Sequence, residues 1–141
     1  MTFTLNLEIA ASPERVFNFV ADFATMPRWY AAVTRVEKLG AAGTEYAVYR
    51  TLPGGDVRNR VARTNFEEGK TVTFTSVQGP TPFRYRYTVE PVSGGCALEL
   101  TGSIGAEGLT GPVRLLAPMA ERLFAHGMRD NLGALQRLLE D

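Results

Sequence analysis

Apolar and polar residues alternate from the start of the chain. Phe3, Leu5, Leu7 and Ile9 are separated by Thr4, Asn6 and Glu8, a period of two that predicts a strand with one buried face. Ser12-Pro13-Glu14 follows and reads as a helix start: an N-cap, a proline at the first helical position and an acid in the first turn. Val16, Phe17 and Val20 then recur at helical spacing. Thr25 is expected to cap a second short turn carrying Pro27, Trp29 and Tyr30, after which strand character returns over Val33 to Leu39 and stops at Gly40.

From Gly43 to Ile104, strand-like runs are separated by Pro53-Gly54-Gly55-Asp56, Glu68-Gly69-Lys70, Gly79-Pro80-Thr81-Pro82 and Ser93-Gly94-Gly95. Connections this short close antiparallel hairpins and cannot make parallel crossovers, so the segment predicts a five-stranded meander. Phe83, Tyr85, Tyr87 and Val89 share one face of the fourth run, and Arg84, Arg86, Thr88 and Glu90 the other. Cys96, Leu98, Leu100 and Ile104 repeat the pattern. A sheet apolar on one side needs a cover. The cover expected is a long helix over Gly111 to Glu140, with Val113, Leu116, Ala120, Phe124, Gly127, Met128, Asn131, Leu135, Leu138 and Leu139 on one stripe and Arg122, His126, Arg129 and Arg137 opposite. Pro118 should either kink that helix early or mark its true start.

Composition narrows what such a fold could do. The 141 residues carry 15 basic and 15 acidic side chains, and zero net charge without a basic cluster argues against a nucleic-acid partner. The longest apolar stretch, Leu115 to Ala120, is broken by Pro118, far short of the roughly 20 residues of a spanning helix. Nothing at the N-terminus reads as a signal peptide, so a cytoplasmic location is expected, and length and composition predict one domain over residues 1–141. Cys96 is the single cysteine, so no internal disulfide or cysteine-based metal site is expected, and a small apolar role in a strand suffices. No acid-base dyad, nucleophile elbow, phosphate loop or metal cluster is visible. His126 falls opposite the apolar stripe, and Glu67/Glu68 read as a hairpin turn.

The stretch Ala11-Ser12-Pro13-Glu14-Arg15-Val16-Phe17-Asn18-Phe19-Val20-Ala21-Asp22-Phe23, with Met26-Pro27-Arg28-Trp29 after it, Gly43-Thr44-Glu45-Tyr46, and the arginine- and leucine-rich end Leu132 to Glu140 resemble the SRPBCC superfamily, also called START-like or helix-grip, and within it the polyketide cyclase/dehydrase and lipid-transport group. The resemblance implies an α+β helix-grip fold: a seven-stranded curved antiparallel sheet wrapped around a long C-terminal helix, with two short helices between strands 1 and 2. It also implies an elongated cavity between sheet and helix that takes an apolar or aromatic molecule such as a lipid or polyketide, without metal or organic cofactor. Fold does not fix chemistry. Ligand binding leads; a polyketide cyclase/dehydratase-type lyase or isomerase using the same cavity, and a protein-interaction adaptor, stand as alternatives. The state is monomer or homodimer.

The residues expected to meet a ligand are Trp29, Tyr46, Arg63, Tyr85, Tyr87, Phe124, Met128 and Asn131. Asn131 lies mid-stripe, where an unpaired amide would cost about 1–3 kcal/mol, so a protein partner, a buried water or a ligand must satisfy it. Gly127, one turn earlier, either packs closely on the sheet or makes room. Tyr46, Tyr85 and Tyr87 are core rings or ligand contacts. Trp29 and Tyr30 either cover the surface or flank a cavity mouth. Arg50, Asn59 and Arg63 are open, because a one-residue register change reverses every face. Access is expected between Trp29, the Gly79 to Pro82 turn and the Gly105 to Gly111 connection, with that connection moving and Trp29 as gate, unless its glycines serve only a tight turn.

Overall fold

The computed structural model describes residues 2–52, 55–79, 82–104 and 117–141, with side chains at all of these except 52 and 117–125. In chain order the elements are β1 (Thr2–Ile9), α1 (Pro13–Ala21), a short 3-10 helix (Phe23–Arg28), β2 (Val33–Leu39), β3 (Glu45–Leu52), β4 (Gly55–Glu67), β5 (Thr71–Gln78), β6 (Phe83–Val92), β7 (Gly95–Ile104) and α2 (Ala117–Glu140). The strands form one seven-stranded sheet in the order β1-β7-β6-β5-β4-β3-β2, and every neighbouring pair is antiparallel. The meander from β2 to β7 follows from its short turns. The β4–β5 turn depends on Gly69 at φ +78°, a left-handed conformation that side-chain-bearing residues rarely adopt.

Register keeps the apolar sets on one face. Ile9, Leu7 and Leu5 of β1 stand opposite Cys96, Leu98 and Leu100 of β7, while Tyr87 and Val89 of β6 meet the same Leu100 and Leu98 from the other side. Leu5, Ile9, Val89, Cys96, Leu98 and Leu100 are all buried. Register shifts at Val33/Arg35, Arg60/Val61 and Arg63/Asn65 bend the sheet. Gly102 has no side chain to pack, and the ring of Phe3, its β1 partner, fills the space that a Cβ would need.

The helix start at Ser12 is as the sequence predicts: its hydroxyl accepts the Arg15 amide at 3.2 Å, with Pro13 in the first turn. The second short helix differs from expectation. Asp22 caps it, accepting the Ala24 amide at 3.1 Å, and Trp29 and Tyr30 follow the helix rather than ride on it. Thr25 turns its hydroxyl back to the Phe19 and Asp22 carbonyls, at 3.0 and 2.9 Å. A carboxylate at the first position reaches the exposed amide two residues on, while the threonine oxygen is spent on α1.

Helix α2 is described over Ala117–Glu140, and the choice between Pro118 as a kink and Pro118 as the helix start falls on residues outside those described. Residues 111–116 of the predicted helix and the Gly105 to Gly111 connection lie outside the described residues, as do the side chains of Ala120 and Phe124. The stripe is otherwise visible as Met128, Asn131, Leu135 and Leu139. Leu132 joins it, buried at 3% exposure, because the face is broad enough to take adjacent positions. The far end of α2 is tied down by the Arg15 guanidinium, which donates to the Leu139 carbonyl at 2.6 Å, by the Gln136 amide on the Glu8 carbonyl at 3.1 Å, and by the Ala10 amide on the Glu140 carboxylate at 2.8 Å. Arg15 thereby satisfies a terminal carbonyl and opposes the negative end of the helix dipole.

Candidate functional site

The interior face of the sheet is mainly apolar, so its polar atoms mark where chemistry is possible. Inward alternation on β3 gives Tyr46, Val48 and Arg50, and pairing sets Val48 opposite Asn59 and Tyr46 opposite Val61 on β4. Arg50 is 8% exposed and Asn59 fully buried, which settles the orientation that the sequence leaves open: both point inward. Arg50 donates from Nε at 3.2 Å and from Nη2 at 2.6 Å to Asn59 Oδ1, and its guanidinium lies 5.6 Å from the Phe83 ring centre. The amide oxygen and the aromatic face take the place of part of the water that the buried guanidinium gives up.

Phe83 stacks on Tyr85 at 4.7 Å, and the Tyr85 hydroxyl lies 3.3 Å from that of Tyr30. Tyr30 and Trp29 contact each other edge-on at 6.2 Å, and Trp29 meets Tyr87 at 6.3 Å. Trp29 and Tyr30 are 4% and 7% exposed, so the pair belongs to the core rather than covering the surface. The indole N–H of Trp29 donates to Thr25 Oγ1 at 3.4 Å. On the far side of Tyr87 the rings continue through Phe74 at 6.4 Å to Tyr46 at 6.1 Å and Phe23 at 4.5 Å.

Helix α2 contributes Met128 and Asn131. The Asn131 Oδ1 accepts the Ala31 amide at 3.2 Å, and its Nδ2 approaches the Met128 sulfur at 3.8 Å. Its partner on the carbonyl side is therefore backbone, and it joins the helix to the segment after Trp29 and Tyr30. A Cβ added at Gly127 would meet no described atom within 4 Å.

Burial pushes the phenols of Tyr30, Tyr85 and Tyr87 upward, the latter two well above the usual tyrosine range. Neighbouring phenols add to the rise at Tyr85 and Tyr87, while the Arg50 charge opposes it at Tyr30 and Tyr85. All three are neutral donors at physiological pH. A folded-state pKa above the unfolded one means that the native state keeps protons the unfolded chain releases above pH ~10. Stability is therefore fully present below that pH and is lost as pH rises through the folded values. Alkaline titration should show the phenolate absorbance of these residues appearing together with unfolding, not before it; full phenolate absorbance with native circular dichroism would contradict their burial.

The candidate residues fall into two groups. Trp29, Tyr85, Tyr87, Met128 and Asn131 belong to the core between sheet and helix, together with Tyr30, Arg50 and Asn59. Arg63 stands elsewhere: its guanidinium lies 4.3 Å from the Phe66 ring centre, in a surface groove of about 240 Å³ whose walls also include Phe17, Asp22, Lys38 and Tyr46. Tyr46 bridges the two, with its ring against Phe23 and Phe74 and its hydroxyl donating to the Gly43 carbonyl at 3.3 Å. Phe124 lies among the side chains not described. His126 is exposed and sits 3.7 Å from Asp130, and Cys96 is buried. Among the described residues no group of His, Cys, Asp and Glu could hold a metal ion, and no helix is long and apolar enough to cross a membrane.

The fold recurs in solved structures. A START superfamily protein from Mycobacterium smegmatis superposes with a TM-score of 0.81 at 18% identity, covering 99% of this chain and 97% of that one. A protein from Thermus thermophilus gives 0.80 at 20% identity over 97% and 95%. The di-domain ARO/CYC StfQ of the steffimycin biosynthetic pathway gives 0.76 at 17% identity, over 99% of this chain and 50% of that one. No curated protein matches the sequence significantly. The family described as polyketide cyclase / dehydrase and lipid transport matches residues 1–140; the chain belongs to that family.

Proposed function

We propose that the protein binds an apolar or aromatic small molecule between the inner face of the sheet and α2. The observation that carries this reading is the row of buried polar groups, Arg50, Tyr30, Tyr85 and Tyr87, set among aromatic rings on that face. Apolar walls with a few placed polar atoms are the usual composition of small-molecule sites. Tyr46, Met128 and Asn131 complete the proposed contacts, and Phe124 is proposed with them from its position on the helix. Arg63 is proposed at the outer groove. The protein acts as a single domain, monomeric or homodimeric, in the cytoplasm, with no nucleic-acid partner, metal or cofactor.

A second reading, a cyclase/dehydratase-type enzyme, draws support from the guanidinium of Arg50 beside the Tyr30–Tyr85 hydroxyl pair. Such donors can hold negative charge developing on an enolate oxygen. Displacement of a fluorescent fatty acid by a panel of lipids and fused-ring aromatics tests the binding reading. Saturable displacement by some members is expected, with Trp29, the one tryptophan, changing its emission. No displacement and unchanged emission across the panel would refute it.

A further inference from the structure

Counting hydroxyl hydrogens on the inner face yields more than the binding of something apolar. The Tyr30 and Tyr85 oxygens share one hydrogen bond, which consumes one of their two O–H groups as donor and leaves the other without an acceptor among the described residues. The Tyr87 side chain is 1% exposed, and its hydroxyl has no hydrogen-bond partner among the described residues. Thr73 shares that condition, but it alternates with the inward Val72 and Phe74 and stands opposite Asn65 and the exposed Arg86, on the outer face. Tyr85 and Tyr87 are two apart on β6 and face the same way, about 7 Å apart along the strand. Trp29 contacts the rings of both Tyr30 and Tyr87. Two phenolic donors are thus held beside the Trp29 ring, and the Arg50 charge acts on the Tyr30–Tyr85 pair.

Resting on the binding reading above, we infer that Tyr87, with the Tyr30–Tyr85 pair, selects ligands whose apolar body ends in an acceptor oxygen, a carbonyl or a carboxylate. A donor without an acceptor costs free energy when buried, and a carbonyl or carboxylate oxygen supplies the acceptor that the Tyr87 hydroxyl lacks among the described residues. A hydrocarbon of the same shape leaves that hydroxyl unspent. A positive charge nearby strengthens the preference as the acceptor gains negative charge. Tyr87 is therefore a specificity-determining residue.

Acetylnaphthalene and isopropenylnaphthalene differ by a carbonyl oxygen against a CH₂ of similar size, and titration calorimetry of both against the full chain tests the inference. The expected result is a preference of about tenfold for the ketone. In Tyr87→Phe, which removes one oxygen and keeps the ring, the ratio of the two affinities should fall towards one. Tyr30→Phe serves as a second variant should the first fail to fold. Equal affinities in the parent protein, or a full preference surviving in the folded phenylalanine variants, would overturn the inference while leaving the binding reading standing. No binding of either probe, with no displacement across the lipid and aromatic panel, would overturn both; no binding of either probe beside displacement by panel members whose apolar body carries no oxygen would overturn the inference alone.

Discussion

Phe74→Ala is expected to cost about 3–5 kcal/mol of stability. Phe74 is fully buried and is the ring at which separate parts of the interior meet: Phe23 of the short helix at 4.5 Å, Tyr46 of β3 at 6.1 Å and Tyr87 of β6 at 6.4 Å. Removing it deletes a hydrophobic transfer term and leaves a cavity that three rings from different elements cannot close together. With total stabilities of about 5–15 kcal/mol typical of such chains, the variant should lose a large fraction of its margin, and its thermal midpoint should fall by roughly 10–17 °C. Urea unfolding checks it. A loss under about 1 kcal/mol would mean that the rings do not form one packed unit.

Asn59→Leu is expected to cost about 3 kcal/mol, although leucine fills similar space and suits the apolar face. The amide oxygen receives two N–H groups of Arg50, at 3.2 and 2.6 Å, and the change leaves a buried cation with those bonds unmade. Arg50→Met together with Asn59→Leu removes the charge along with its acceptor, so the double variant should recover more than half of the loss. A double-mutant cycle in urea should then give a coupling of at least ~1 kcal/mol. Additive losses would show that Asn59 does not hold the guanidinium.

These two residues also show where the sequence stops being informative. The strands of the meander are legible because turn residues separate them and β6 and β7 alternate strictly. Strand β4 does not: its inward positions include Asn59 and Val61, the latter opposite Tyr46 of β3, and its outer positions include arginines, so polarity alone gives no face. Arg63 keeps the parity of Asn59 and Val61 and stands opposite the inward Phe74, ahead of the shift at Arg63/Asn65, but it lies beside Phe66 rather than with Arg50. The one usable signal was Val48, since its neighbour two residues on must share its face. Tyr30 was harder to read. It follows a short helix without periodicity, and its partner Tyr85 is 55 residues away, a pairing that only the closed sheet brings about. Asn131 was legible as a polar residue on an apolar stripe, but its acceptance of the Ala31 amide, 100 residues distant, was not.

Binding between the sheet and α2 is tested most directly by amide and side-chain NMR shifts during titration with the tightest binder from the displacement panel. The account predicts saturable shifts centred on Trp29, Tyr30, Tyr85, Tyr87, Met128 and Asn131. Shifts confined to Lys38, Arg63 and Phe66 at the outer groove, with the interior tyrosines unmoved, would contradict it.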